Sequence, residues 1–358
     1  MTASPAPARF ARTLRAQETG LVAVILVLAI GLAIFGGNVN IRQRDPQTGE
    51  IHRVEVNRFL QRANLDNILK NCSWIAIMAI GATILIINGG IDLSIGAIYC
   101  LAAVSGGMLL RYFGPNGPAP GEPAWVIPLG VIVTLAIGLA CGMLNGLMVV
   151  LLRVHPFIIT LGTMSIYRGL AFVTTKAQAV TDYPPAFGDA VRATVYDLTV
   201  IPISVMLACA AIGFVFLRRT VAGREVYAIG GNETAARFSG VRVGRVRVLA
   251  FALAGLAGGI AAVLTLGVYG SADSSTGRGY ELDVIAAAVV GGASLTGGRG
   301  TAVGALLGAI VIQLISNGIT ILDIDQRYVE IIKGAVIIIA VVLDRASATL
   351  NERRLVKA

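Results

Sequence analysis

The chain has 358 residues, of which 56% are hydrophobic and 14% charged, with a formal net charge of +9 and a mean hydropathy of +0.78. Soluble domains carry roughly 25% charged residues because a water-facing surface has to be polar, so this composition excludes an ordinary soluble globular protein. Nor does the positive charge make a nucleic-acid face, since the Arg and Lys residues fall mostly in loops and tails between apolar blocks of membrane-spanning length.

In chain order, ten spans are predicted at approximately 20–36, 72–88, 92–113, 125–152, 156–175, 198–217, 247–270, 282–297, 302–322 and 327–343. A helix needs about 20 apolar residues to cross about 30 Å of hydrocarbon, and only a helix closes its own hydrogen bonds inside such a run. The expectation is an all-α polytopic membrane protein with about ten transmembrane helices, some broken or re-entrant. The first apolar block, Leu21 to Phe35, follows Arg9, Arg12 and Arg15 but lacks an A-x-A-like exit, so it reads as a retained helix.

Charge sets orientation. The N-terminal tail (1–19), the C-terminal tail (346–358, with Arg353, Arg354 and Lys357) and the loop 218–246 (with Arg218, Arg219, Arg224, Arg237, Arg242 and Arg245) are the basic segments. Placing all three in the cytoplasm, with both termini inside, requires an even number of spans and leaves a transmembrane domain over 20–345. Residues 38–62 break this rule, because Arg42, Arg44, Arg53, Arg58 and Arg62 then face outward. Asp45, Glu50 and Glu55 offset part of that charge, and the alternation around a Pro- and Gly-containing turn resembles a β-hairpin inserted in the first outer loop.

Two glycine-rich polar pieces interrupt spans. Ile87-Asn88-Gly89-Gly90-Ile91-Asp92-Leu93-Ser94 separates the second and third, and Gly291 to Gly300 separates the eighth and ninth. Asp92 is an acid at membrane depth, where ionisable groups are costly and usually functional. Capping a half-helix N-terminus is the first reading for it, and direct contact with solute the other. Asn88, Ser94, Asn145, Thr160, Thr163, Gln313 and Asn317 are polar residues in apolar spans, expected either to line a substrate path or gate, or to tie helices together. Arg278, Glu281 and Asp283 stand at an outer mouth, and Arg299 in an inner loop.

In the basic loop, Gly223, Arg224 and Gly230 lead to Asn232, a good N-cap, followed by Glu233, Ala235, Ala236 and Gly240. That pattern predicts a short helix with a small-residue face between two membrane helices, a body that a soluble partner could push. A solvated basic loop is the plain alternative.

Catalytic chemistry is not expected. Gly292 to Gly297 gives G-x-x-x-x-G, but Gly298-Arg299 follows where a P-loop needs Lys and Ser or Thr. No G-x-S-x-G elbow occurs. His52 and His155 have no metal-ligand spacing, and Cys72, Cys100, Cys141 and Cys209 stand singly in or beside apolar blocks, as small hydrophobes do. Neither a catalytic residue nor a metal site is expected.

The loop resembles the EAA-type coupling loop of ABC importer permeases through Ala235, Ala236 and Gly240, with Thr234 where that loop usually has Glu. NGGIDLS (88–94), HPFIITLGTM (155–164) and GYELDVIAAAVVGGASLTGGRGT (279–301) resemble the signatures of the ribose/xylose/arabinose-type monosaccharide permeases, over approximately residues 60–345. The resemblance implies ten helices per subunit, a second copy completing a homodimeric pore, a separate cytoplasmic ABC ATPase carrying ATP and Mg, and a periplasmic sugar-binding protein. On that reading the chain itself binds no cofactor and no nucleic acid, contacts lipid bilayer and a small-molecule solute, and resides in the bacterial inner membrane. The rival reading is a secondary transporter driven by an ion gradient, which would use broken helices and intramembrane carboxylates for coupling ions.

Overall fold

The computed structural model describes residues 6–44, 51–121 and 123–329, with a few isolated positions up to 342. Its elements run α1 (Ala6–Phe35), β1 (Asn38–Arg44), β2 (Ile51–Asn57), α2 (Arg62–Ile87), α3 (Ile95–Tyr112), α4 (Val126–Leu152), α5 (Pro156–Thr175) and α6 (Pro185–Val191). They continue with β3 (Thr194–Val195), β4 (Leu198–Thr199), α7 (Val200–Arg219), α8 (Val221–Gly231), α9 (Glu233–Phe238), α10 (Val243–Tyr269), α11 (Tyr280–Val290) and α12 (Ala302–Ile321). Among the described residues eight helices are long and apolar enough to cross a membrane: α1 from Glu18 onward, α2, α3, α4, α5, α7, α10 and α12. The chain is an all-α polytopic membrane protein. About half of the tenth expected span, 327–343, lies outside the described residues, as does the whole C-terminal tail.

The expected span 282–297 is not a continuous helix. α11 is 11 residues long, about half of what a crossing requires. Its stop is chemical: Gly292 takes φ +93, its N–H donates to Val289 O at 2.8 Å, and Ala293 N–H donates to Ala288 O at 2.9 Å. That pair of bonds is a Schellman ending, which a glycine in the left-handed region completes without a Cβ clash. α2 ends the same way, with Gly89 at φ +83, Gly89 N–H on Ile86 O at 2.9 Å and Gly90 N–H on Leu85 O at 3.0 Å. Both polar interruptions are therefore helix stops of one design.

α2 and α10 form the core. In α2, 89% of the apolar window is buried, against 11% in α1 and 22% in α5, which leaves the last two to lipid or to another chain. α10 packs along α4, α2 and α3. It meets α4 backbone to backbone, since a Cβ on Gly138 would fall 2.6 Å from Gly255 O and 2.8 Å from the Cα of Gly259. Small residues at such a seam let dispersion contacts replace the hydrophobic drive that lipid removes.

Residues 38–57 form an antiparallel ribbon in which Asn38 faces Asn57 and Arg44 faces Ile51, while its turn, 45–50, lies outside the described residues. Two arginines of the basic stretch 38–62 have acidic partners. Arg58 holds Asp323 through bonds of 2.6 and 3.0 Å, and Arg62 holds Asp197 at 3.0 Å.

Candidate functional site: two pinned helix breaks and the loop beneath them

The break between α2 and α3 is held from inside. Asp92 Oδ1 accepts from Ser94 N–H at 2.8 Å and from the Ser94 hydroxyl at 2.6 Å, just before α3 begins. Asn145, from α4, donates through Nδ2 to Ser94 Oγ at 2.7 Å and more weakly to Asp92 Oδ2 at 3.5 Å. Its Oδ1 accepts from the Tyr167 hydroxyl of α5 at 3.0 Å. Thr160, also from α5, clasps the same segment: its Oγ1 accepts from Leu93 N–H at 3.2 Å and lies 3.4 Å from Ile91 O. Thr163 joins through its bond to Thr160 O at 3.3 Å.

Ser94, Asn145 and Thr160 are fully enclosed and Asp92 is 5% exposed. Satisfied polar networks in a low-dielectric interior fix one arrangement, because every alternative strands a buried donor or acceptor. Chemically the cluster is a pin that joins α4, α5 and the 88–94 segment.

The other two expected path residues lie elsewhere. Asn317 exchanges bonds of 2.7 and 3.3 Å with Asn64, tying α12 to α2. Asn88 is 1% exposed, and neither its Oδ1 nor its Nδ2 has a partner among the described residues. Gln313 is half-buried on α12.

Beneath the breaks lies the basic loop. Residues 223–231, read from sequence as an approach to a helix, are themselves helical: α8 is capped by Thr220, whose hydroxyl accepts from Gly223 N–H at 3.0 Å. Asn232 then caps α9 by accepting from Ala235 N–H at 2.9 Å, and Gly240 takes φ +85 beyond its end. Glu233 bridges Arg237 at 2.9 Å and Arg247 of α10 at 2.8 Å. Hydrogen bonding to Arg247, foremost, holds its carboxyl below the usual glutamate value despite the opposing effect of burial, with the charge of Arg247 and the bond and charge of Arg237 adding to it. Ala236 is buried while Ala235 and Arg224 are exposed, and Arg224 reaches back to Arg219 O at 3.4 Å.

Gly230 makes the decisive contact. A Cβ there would overlap Ile87 O, the last carbonyl of α2, and would fall 2.5 Å from Gly298 N. Gly298 N–H itself donates to Ile87 O at 2.9 Å, and the Tyr227 hydroxyl donates to Gly300 O at 2.6 Å. α8 thus touches both glycine-rich breaks at one junction.

Three contributors were absent from the sequence reading. Tyr167 lies seven residues from Thr160, on the same helix face, a spacing that was legible. Arg168, inside a membrane-length helix, carries a signal in its charge alone. It donates to Ser274 O at 3.2 Å, Thr276 O at 3.3 Å and Gly277 O at 3.3 Å, and so holds the turn before α11. Tyr227 offered no such signal, because an aromatic on a short helix reads as packing.

Membrane-length helices, two backbone breaks at matching stops and an extramembranous helical loop seated on both define a multi-pass membrane permease. The chain belongs to the family described as the branched-chain amino acid transport system / permease component, which matches residues 64–341. It is 39% identical over 289 residues to the ribose import permease protein RbsC of Bacillus subtilis, covering 80% of this chain and 86% of that one. To the galactose/methyl galactoside import permease protein MglC of Escherichia coli it is 36% identical over 336 residues, covering 92% and 94%. The Escherichia coli ribose import permease protein RbsC is 37% identical over 294 residues, covering 80% and 87%. No solved structure matches the chain.

Proposed function

We propose that this chain is the membrane subunit of an ATP-driven, binding-protein-dependent importer for a monosaccharide or a similar small polar solute. Relatives named for ribose and for galactose or methyl galactoside support the solute class. Two copies form one translocation path, a periplasmic binding protein delivers solute, and a separate cytoplasmic ATPase supplies ATP hydrolysis with Mg.

The observation that carries the reading is the seat of Gly230 on Ile87 O and Gly298. A push on α8 and α9 is delivered to the end of α2 and to the α11–α12 loop with no compliant side chain between. Asp92, Ser94, Asn145, Thr160 and Thr163 then act as the gating frame, holding the 88–94 segment to α4 and α5 as the helices rock. Recognition is largely the binding protein's task, so a weak, transient solute site suffices in the membrane.

Reconstitution in liposomes tests it. Uptake should require the ATPase, the binding protein and ATP together. Uptake by this chain alone, driven by a proton or sodium gradient, would establish the secondary-transporter alternative instead.

A further inference from the structure

Between the α4–α5 turn and the coupling loop lies a cleft of about 1100 Å³, walled by Arg153, His155, Glu233, Arg237, Arg242, Arg245 and Arg247 with Gly89 at its edge. Three separate stretches of chain, 153–156, 233–237 and 242–247, bring five guanidinium groups to one concavity that holds a single carboxylate. Glu233 is already committed to Arg237 and Arg247. Among the described residues Arg153, Arg242 and Arg245 show no ion pair, and Arg247 Nε is buried without a hydrogen-bond partner. Arg153 also sits at φ +55, a conformation uncommon for a residue with a side chain.

Scattered cytoplasmic arginines would satisfy the charge rule for membrane orientation equally well. Convergence on one cleft does not follow from that rule, because unpaired like charges gathered in a concavity repel each other. Planar guanidinium groups match phosphate oxygens in bidentate geometry. The cleft is larger than a bare phosphate needs and lies just above the roughly 300–1,000 Å³ typical of sites for small organic ligands.

We propose that this cleft is a binding site for a phosphate group carried on a small polar ligand, either a soluble phosphomonoester or the headgroup of an anionic phospholipid. Its regulatory meaning rests on the coupling role proposed above: a phosphate competes with Glu233 for Arg237 and Arg247, so occupancy loosens the tie between α9 and α10.

The test uses the full chain in nanodiscs of zwitterionic phosphatidylcholine, titrated calorimetrically with inorganic phosphate and with a hexose 6-phosphate. Saturable binding that weakens with salt is expected, tighter for the hexose 6-phosphate. R153Q and R242Q should each weaken it about tenfold, one charge-assisted contact's worth, with R153K and R242K intermediate. E233Q, which frees two arginines, should strengthen it.

If neither soluble probe binds, native mass spectrometry from phosphatidylglycerol nanodiscs decides between the sources. Retained phosphatidylglycerol that is lost in R153Q and R242Q supports the site with a lipid headgroup as its ligand. No retention, binding unchanged by R153Q and R242Q, or binding to the isolated chain that vanishes in the assembled importer overturns the site. Hexose 6-phosphate that binds the assembled importer yet leaves ATP-driven uptake unaltered upholds the site and removes its link to coupling.

Discussion

The last carbonyl of α2, on Ile87, is in contact with the backbone of Gly230 and at the same time accepts Gly298 N–H at 2.9 Å. One oxygen atom thereby joins the α2 stop, the α11–α12 loop and the loop assigned to coupling. No side chain intervenes, so the junction transmits displacement rather than absorbing it.

Substitution at Gly230 should break the junction. In G230A the added methyl overlaps backbone atoms that cannot rotate away, and forced overpacking of this kind costs about 1–3 kcal/mol. G231A is the internal control, because a Cβ there meets nothing within 4 Å. Thermal unfolding should show a lowered midpoint for G230A alone, accompanied by lost stimulation of the ATPase. Native-like uptake by G230A would mean that α8 does not seat as described.

The Tyr227 hydroxyl bond to Gly300 O, 2.6 Å long, makes a milder version of the same test. Y227F keeps the ring packing and removes about 1 kcal/mol. The expected result is a normal amount of folded protein with more ATP hydrolysed per solute imported. A coupling ratio equal to native would show the bond to be incidental.

For the pin at 88–94, N145A removes the donor to Ser94 Oγ and one of two acceptors of the Tyr167 hydroxyl, which keeps Cys141 O at 3.1 Å, at a cost of about 1 kcal/mol per bond lost. D92N retains an oxygen that can accept Ser94 N–H, so it should destabilise less than D92A. In both Asp92 variants thermal stability and maximal uptake should fall while the solute concentration for half-maximal uptake stays constant. A raised half-saturation concentration with undiminished stability would place Asp92 on the solute.

Glu233 yields a pH prediction. Its carboxyl is held below the ordinary value of 4.5, chiefly by hydrogen bonding to Arg247. A depressed folded value means that the α9–α10 tie contributes fully above that ordinary value and disappears as pH falls through the lower, folded one. The side chain is 40% exposed, so solvent screening keeps the contribution small. Protection of the amides over 233–247, corrected for the intrinsic pH dependence of exchange, should stay constant from neutral pH down to about the ordinary glutamate value and fall below it. In E233Q that extra acid step should be missing.

Membrane insertion was determined by the sequence alone, because span length and the scarcity of charge are sums over residues and need no partner. The short helix after Asn232 and both interruptions were legible too, since Asn232 as a cap and the Gly-Gly pairs at 89–90 and 291–292 act within a few residues of themselves. Span 282–297 was nonetheless read through that second pair, because Ala293 and Leu295 continue the apolar run, and the left-handed backbone at Gly292 shows that the helix ends at Val290.

Only the tertiary structure decided which polar residues meet. Asn145 and Thr160 reach the 88–94 segment from two other helices, with Tyr167 bracing Asn145, whereas Asn317 turns to Asn64. Periodicity assigns a residue to a face but not to the face opposite it. The junction of Ile87, Gly230 and Gly298 is the limiting case: it is made by backbone atoms from three distant stretches, and the one trace it leaves in sequence is the lack of a side chain at Gly230.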